Sequence, residues 1–345
     1  MNNFVYILGK QDVTVERLHI CTWTIEKDVF FTEYGIEINR GSLKKIDFQM
    51  ALPLPEHLDN KTFISLYKNI IDSENCRFIF NADIKDISPI NGQSAFGTRI
   101  EFVNDRKITA LPLELNDNIE VEKKTNTLKI TLDLSGDQIT DTVYIRFLIK
   151  TTSPAFSYEK KEITRCIITN EVRVNECRTA PDEVIKLLKN SYNTIVINKC
   201  FCFHIIPGSY SIDFIEDKKL KTVRSLEAEG FNNYLSTIKK TINNMSIKEN
   251  DYNIIFCKQE KDSNVDIPNY SFFSRYSKEY IGNIQIGLAI AVNIICGLLF
   301  AFGGLHPIDY SAPFLSRMAI EYYIAIVALV GLILYLIYCR YWRKA

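Results

Sequence analysis

Apolar and polar residues alternate along much of residues 1–153. Ile46, Phe48, Met50, Leu52 and Leu54 fall on every second position, as do Leu128, Ile130, Leu132 and Leu134 between Lys129, Thr131 and Asp133. Val143, Ile145, Phe147 and Ile149 repeat the pattern. A period of two sends alternate side chains to opposite faces, so each run predicts a strand with one face on a core. Gly35, Gly41, Pro53, Asn91-Gly92 and Ser135-Gly136 punctuate the runs. One helix interrupts them: Phe63, Leu66, Tyr67, Ile70 and Ile71 share a face at helical spacing. Many short antiparallel strands predict a β-rich domain over residues 1–153, a sandwich or an open barrel.

Thr151-Thr152-Ser153-Pro154 marks the boundary, and residues 154–257 read as a mixed α/β domain. Glu162–Val174, Thr194–Ile206 and Asp251–Cys257 have strand character. Thr179-Ala180-Pro181-Asp182-Glu183 is a helix start, with Pro and acids in the first turn. A second helix is predicted from Arg224 to about Asn244, with Phe231, Leu235, Ile238 and Ile242 inward. Residues 258–280 read as a tether and interfacial segment.

The pattern then changes. Residues 281–302 carry no charge and residues 318–339 carry only Glu321. At ~1.5 Å per residue each run is roughly 33 Å long, enough for a hydrocarbon core of about 30 Å. These runs predict a C-terminal two-helix transmembrane hairpin, with an external loop over 303–317 and a basic tail over 340–345. Tyr276 and Tyr280 before it, and Tyr341 and Trp342 after it, are expected at the membrane interface. Arg275, Lys278, Arg340, Arg343 and Lys344 flank the hairpin, whereas the loop has Arg317 as its one fixed cation. Cations favour the inner face, so the expectation is a bacterial inner-membrane protein with two passes and both termini cytoplasmic. The start MNNFVYILGK has no basic leader and a short apolar run, unlike a secretory signal.

Composition narrows the chemistry. The chain has 41 basic and 41 acidic residues. Without the four basic and two acidic residues beyond position 280, 37 stand against 39, a net charge of −2. That excludes a general affinity for nucleic acid and leaves local basic patches. Nine cysteines without regular spacing fit reduced, core-filling thiols in a cytoplasmic domain. No glycine-rich phosphate loop, nucleophile elbow or H-E-x-x-H run is present, so no catalytic residues, metal or cofactor are assigned. Cys200, Cys202 and His204 would share a strand face. At ~3.3 Å per residue the outer two stand roughly 13 Å apart, too far to close on one zinc.

Two basic clusters are candidate ligand sites. One is Lys218, Lys219 and Lys221 with Arg224; the other is Arg165, Arg173 and Arg178 with Lys186 and Lys189. Cations that converge make a groove for a phosphate backbone or a nucleotide signal. In the apolar run, Gln285, Ala289, Asn293 and Gly297 recur every four residues as a small-and-polar stripe. Such a stripe packs helices or, in a homo-oligomer, lines a pore.

A large domain without a visible catalytic motif, ahead of a two-helix hairpin, resembles bacterial antiphage membrane effectors. The order of parts is most similar to the transmembrane effector of Hailong-type defence. The resemblance implies a homo-oligomer in the lipid bilayer, held shut by single-stranded DNA oligomers or another nucleotide signal from a partner nucleotidyltransferase. It further implies that release of the signal depolarises the inner membrane in abortive infection. It is one of layout and carries over no residue. A membrane-tethered enzyme of unfamiliar class and a membrane-anchored adaptor are the alternatives.

Overall fold

The computed structural model describes residues 3–26, 29–122, 124–162, 165–176, 178, 180–216, 218–236, 248, 251–262, 269–279 and 283–305, with 311, 313, 323, 326, 327, 330 and 331. In chain order the first strands are β1 (Phe4–Gly9), β2 (Thr14–Glu26), β3 (Val29–Asn39), β4 (Lys45–Ala51) and β5 (Phe63–Ser65). Helices α1 (Tyr67–Ile71) and α2 (Ser73–Phe80) follow. Then come β6 (Ile84–Pro89), β7 (Thr98–Phe102), β8 (Lys107–Ala110), β9 (Ile119–Glu122), β10 (Thr127–Asp133) and β11 (Thr142–Thr151). The next elements are β12 (Ser157–Lys161), β13 (Arg165–Val174), α3 (Asp182–Lys189), β14 (Asn193–Thr194), β15 (Val196–Ile197) and β16 (Lys199–Pro207). The last are β17 (Ser211–Ile215), β18 (Leu220–Ser225), α4 (Ala228–Ser236), β19 (Tyr252–Glu260), β20 (Tyr270–Glu279) and α5 (Asn283–Leu305).

The chain divides into two compact units, Met1–Lys160 with Ile167–Lys278, and Lys161–Cys166 with Glu279–Ala345. The strands form two sheets. One has the order β17-β20-β13-β1-β4-β10-β9, with β12 on β13 and β14 on β1. The other has the order β18-β19-β16-β2-β3-β11-β8-β7-β6, with β15 on β2 and β5 on β11.

The sheets pack face to face. Asn170 of β13 reaches His204 of β16 at 3.2 Å, and Tyr270 of β20 donates to the Ile197 carbonyl of β15 at 2.5 Å. Helices cover the other face of the second sheet. Phe231, Tyr234 and Leu235 of α4 pack on Trp23, Phe31, Leu148 and Ile205. Tyr67 and Ile70 of α1, and Cys76 and Phe80 of α2, pack on Ile100, Phe102, Ile108 and Tyr144. Being covered on both sides is why β11 is buried almost continuously while β13 alternates at every second residue.

This architecture corrects the expected fold class. The residues assigned to a β-rich N-terminal domain and a mixed α/β middle domain share both sheets: β1 pairs in parallel with β13, and β2 with β16. The boundary at 153 rested on Thr151-Thr152-Ser153-Pro154 and the mixed pattern beyond it, but this stretch only links β11 to β12 within sheets built from both halves. The segment expected as a tether contains the end of β19 and all of β20, which pairs with β17.

The C-terminal expectation is corrected as well. Helix α5, Asn283–Leu305, occupies the first expected span. Among the described residues no helix is long and apolar enough to cross a membrane. The transmembrane hairpin, the inner-membrane placement with two passes, and the membrane effector or ion pore are withdrawn on that finding. Most of the second expected span, with Tyr280, Tyr341 and Trp342, lies outside the described residues.

Gly35 on β3 is needed for close approach. A Cβ built there overlaps the Tyr144 hydroxyl and lies 3.0 Å from Arg146 Nη1. We expect Gly35→Ala to cost about 2 kcal/mol in urea unfolding, as overpacking a core does.

Candidate ligand-binding site

The covered face of the second sheet carries an unusual set of polar side chains. Cross-strand register sets Arg146, Gly35, His19, Phe201 and Lys258 side by side on β11, β3, β2, β16 and β19. The neighbouring row is Leu148, Glu33, Cys21, Phe203 and Phe256. These rows run from under the helices toward the sheet's β18 edge.

At the inner end, Arg146 donates to Glu33 from Nε at 3.0 Å and also from Nη2. Tyr234 of α4 donates to Glu33 at 2.9 Å and accepts from Arg146 Nε at 3.1 Å. Arg146 Nη1 donates to the Tyr144 hydroxyl at 3.0 Å. That hydroxyl lies 3.2 Å from His19 Nδ1, so its own proton points to His19. Burial pushes the Glu33 carboxyl up, while Arg146 beside it pulls it back toward the charged form. Burial, followed by Arg146, Arg17 and Arg106, holds the His19 imidazole well below its ordinary range. Next to this group Glu37 accepts from Arg106 at 2.5 Å and lies 3.5 Å from Arg17.

Further out the surface becomes aromatic and then cationic. His19 stacks on Phe201 at 5.1 Å, and Phe203 on Phe256 at 4.6 Å with an interplanar angle of 6°. Lys258 lies 5.6 Å above the Phe201 ring. All three phenylalanines are half-buried. Beyond them a cleft of about 360 Å³ is lined by Glu216, Lys218, Lys219, Lys221, Lys258 and Glu260, with Gln259. Lys219 lies 2.6 Å from Glu216 and Lys258 lies 2.7 Å from Glu260. Lys218 and Lys221 are exposed, with no carboxylate at ion-pair distance among the described residues. Four lysines against two glutamates leave these lining side chains at +2.

The fold thus brings Lys218, Lys219 and Lys221 together. Arg224 stands further along β18 and pairs with Glu227 at 3.1 Å. The second cluster is placed differently. Arg165 opens β13, Arg173 pairs with Glu171 and Arg178 with Glu176, and Lys186 and Lys189 are exposed on α3. Ala289, Asn293 and Gly297 are exposed on α5, and the Gln285 side chain lies outside the described residues. Tyr276 is fully buried in β20, where Asn170 donates to its hydroxyl at 2.8 Å. Among the described residues no group of three or more His, Cys, Asp or Glu could hold a metal.

Sequence reasoning missed Lys258, the phenylalanine shelf and the Glu33–Arg146 pair. The signal was present: Phe201, Phe203 and Phe256 alternate with Cys200, Cys202 and Cys257, placing ring and thiol on opposite faces. The class that fold and site define is a two-sheet β-sandwich with a helical cover and a basic, aromatic-flanked cleft at one sheet edge. No protein-family model matches the chain, and no curated protein does. Among solved structures it is similar to a candidate protease from Parabacteroides distasonis, at 6% identity and a TM-score of 0.28, over 84% of this chain and 43% of that one. It is also similar to a homology model of the full-length AP-3 complex, at 6% identity and a TM-score of 0.20, over 82% of this chain and 54% of that one. The chain spans about half the length of these matches, and at such scores neither likeness carries an argument.

Two measurements test this account of the buried groups. Arg146→Met leaves Glu33 buried without its cation and should cost about 3–5 kcal/mol; Tyr234→Phe should cost nearer ~1 kcal/mol. A comparable loss for both would contradict the pairing. The second is a pH series. His204 accepts at Nδ1 from Thr22 at 2.7 Å, and burial holds it down to about 4. The folded state therefore stays neutral while the unfolded chain protonates near pH ~6.5. Stability is full above that pH and falls as pH drops toward about 4, with His204 accounting for on the order of 3 kcal/mol. Urea midpoints between pH 7.5 and 4 should fall, and the His204→Asn variant should flatten the fall.

Proposed function

We propose that this chain is a binding module for a nucleotide or single-stranded oligonucleotide, and that the ligand docks at the β18 edge of the second sheet. Phosphates sit among Lys218, Lys221 and Lys258, and a base lies against the shelf of Phe201, Phe203 and Phe256. The observation that carries this reading is the cleft itself. It combines two cations that have no carboxylate partner among the described residues with a neighbouring aromatic surface that shares Lys258. A phosphate-bearing ligand gains from the lysines, and a planar base gains from the rings. A cleft net charge of +2 in a region at −2 supplies attraction at this place and not over the whole surface.

Of the resemblance to Hailong-type effectors, this reading retains the sensing half. The pore half falls with the membrane spans. A partner enzyme that makes the nucleotide signal belongs to the same proposal.

The test uses a fluorescein-labelled single-stranded DNA oligonucleotide and anisotropy titrations at several salt concentrations. Lys218→Glu with Lys221→Glu should weaken binding at least tenfold and flatten the salt dependence. Phe203→Ala should weaken the oligonucleotide but leave inorganic polyphosphate unchanged, because stacking needs a base. Equal affinity of wild type and the double lysine variant would refute the site.

A further inference from the structure

We propose that β18 is also a docking edge for an extended, acidic segment of a partner protein, which adds to the second sheet as its next strand. β18 is the terminal strand of that sheet, and every residue from Lys221 to Ser225 is exposed, Val223 at 40%. The direction of its backbone groups follows from the ladder. The Leu226 amide donates inward to the Tyr252 carbonyl at 2.9 Å, and Arg224 and Thr222 lie opposite Ile254 and Phe256. Antiparallel pairing alternates inward and outward groups, so the N–H and C=O of Val223 and Ser225 point away from β19. Among the described residues they have no backbone partner beyond the sheet.

An open edge of this kind is a template for another strand. The opposite edge of the same sheet is less available. There β6 ends in Pro89, and its Lys85 is engaged by Glu101 at 2.9 Å and Asp105 at 3.7 Å. The charge on β18 selects the occupant. Its described side chains from Lys218 to Ser225 include Lys218, Lys219, Lys221 and Arg224 and no acid. A second copy of β18 would set these cations against their own kind, which is unfavourable across a strand pair. A strand with glutamates flanking a small apolar residue places carboxylates beside Lys221 and Arg224 and covers Val223. Main-chain bonds would supply affinity and the alternate side chains selectivity.

The experiment uses the whole chain and an acetylated, amidated peptide of four Glu-Val repeats, labelled with fluorescein. The same peptide with alternate amides N-methylated, which cannot extend a sheet, is the control. Val223→Pro removes an outward N–H and leaves the β18–β19 ladder intact, the kind of position where an edge strand tolerates proline. Binding of the Glu-Val peptide, at least tenfold weaker binding of the N-methylated form, and at least tenfold weaker binding to Val223→Pro are expected. Val223→Pro should bind the labelled DNA oligonucleotide as wild type does. Absence of peptide binding, or equal binding of the N-methylated form, would overturn the proposal. The peptide control decides the matter even where the proline variant folds poorly. A failure of the oligonucleotide alone would count against the nucleotide reading and not against this one.

Discussion

A buried ion pair organises the covered face of the second sheet. Glu33 and Arg146 sit on neighbouring central strands, almost without exposure, and neither could be there without the other. Removing two charges from water costs several kcal/mol per ion, and only close pairing with further hydrogen bonds offsets it. Tyr144 and Tyr234 supply those bonds. The consequence reaches beyond the pair. Tyr234 anchors α4, Asn69 of α1 donates to the Tyr234 carbonyl at 2.8 Å, and Gly35 leaves the room in which the Tyr144 hydroxyl meets Arg146. The helical cover is thus fixed by directional bonds as well as by the apolar contacts of Trp23 and Phe231.

The same face changes character along its length. Under α1, α2 and α4 it is buried, and Glu33 is matched by Arg146. Toward β18 the rings of Phe201, Phe203 and Phe256 become half-exposed, and lysines replace carboxylate-bound arginines. A ligand at the cleft would meet the aromatic shelf, and the shelf joins His19 and the buried network through consecutive cross-strand neighbours. A buried, hydrogen-bonded inner end beside a more exposed outer end suits a binding surface, because contact groups are best positioned by packed and hydrogen-bonded neighbours.

Much of the strand content was legible. Leu128, Ile130 and Leu132 alternate in β10, and the acid-rich start at Asp182 opens α3. The helix expected over Phe63–Ile71 resolves into β5 and α1, and α2 was missed although Asp72 accepts from the Asn75 amide as an N-cap. The sheet partners were not legible, because alternation assigns a face and not a neighbour; β1 with β13 and β2 with β16 are pairings across about half the chain. The lysine cluster at 218–221 could be read as a candidate because its charges adjoin in sequence. Lys258 and the phenylalanines join it only through the β16–β19 and β18–β19 registers. Apolar composition misled most at the C-terminus, where run length was taken for a membrane span.

Hydrogen–deuterium exchange of the full chain, with and without single-stranded DNA oligonucleotide, tests the central claim most directly. If the ligand lies across the cleft and the shelf, protection rises in three segments: Lys218–Arg224, Lys199–His204 and Tyr252–Glu260. Protection confined to the other basic cluster, at Arg173–Arg178 and along α3, would place the ligand on the first sheet and contradict the account.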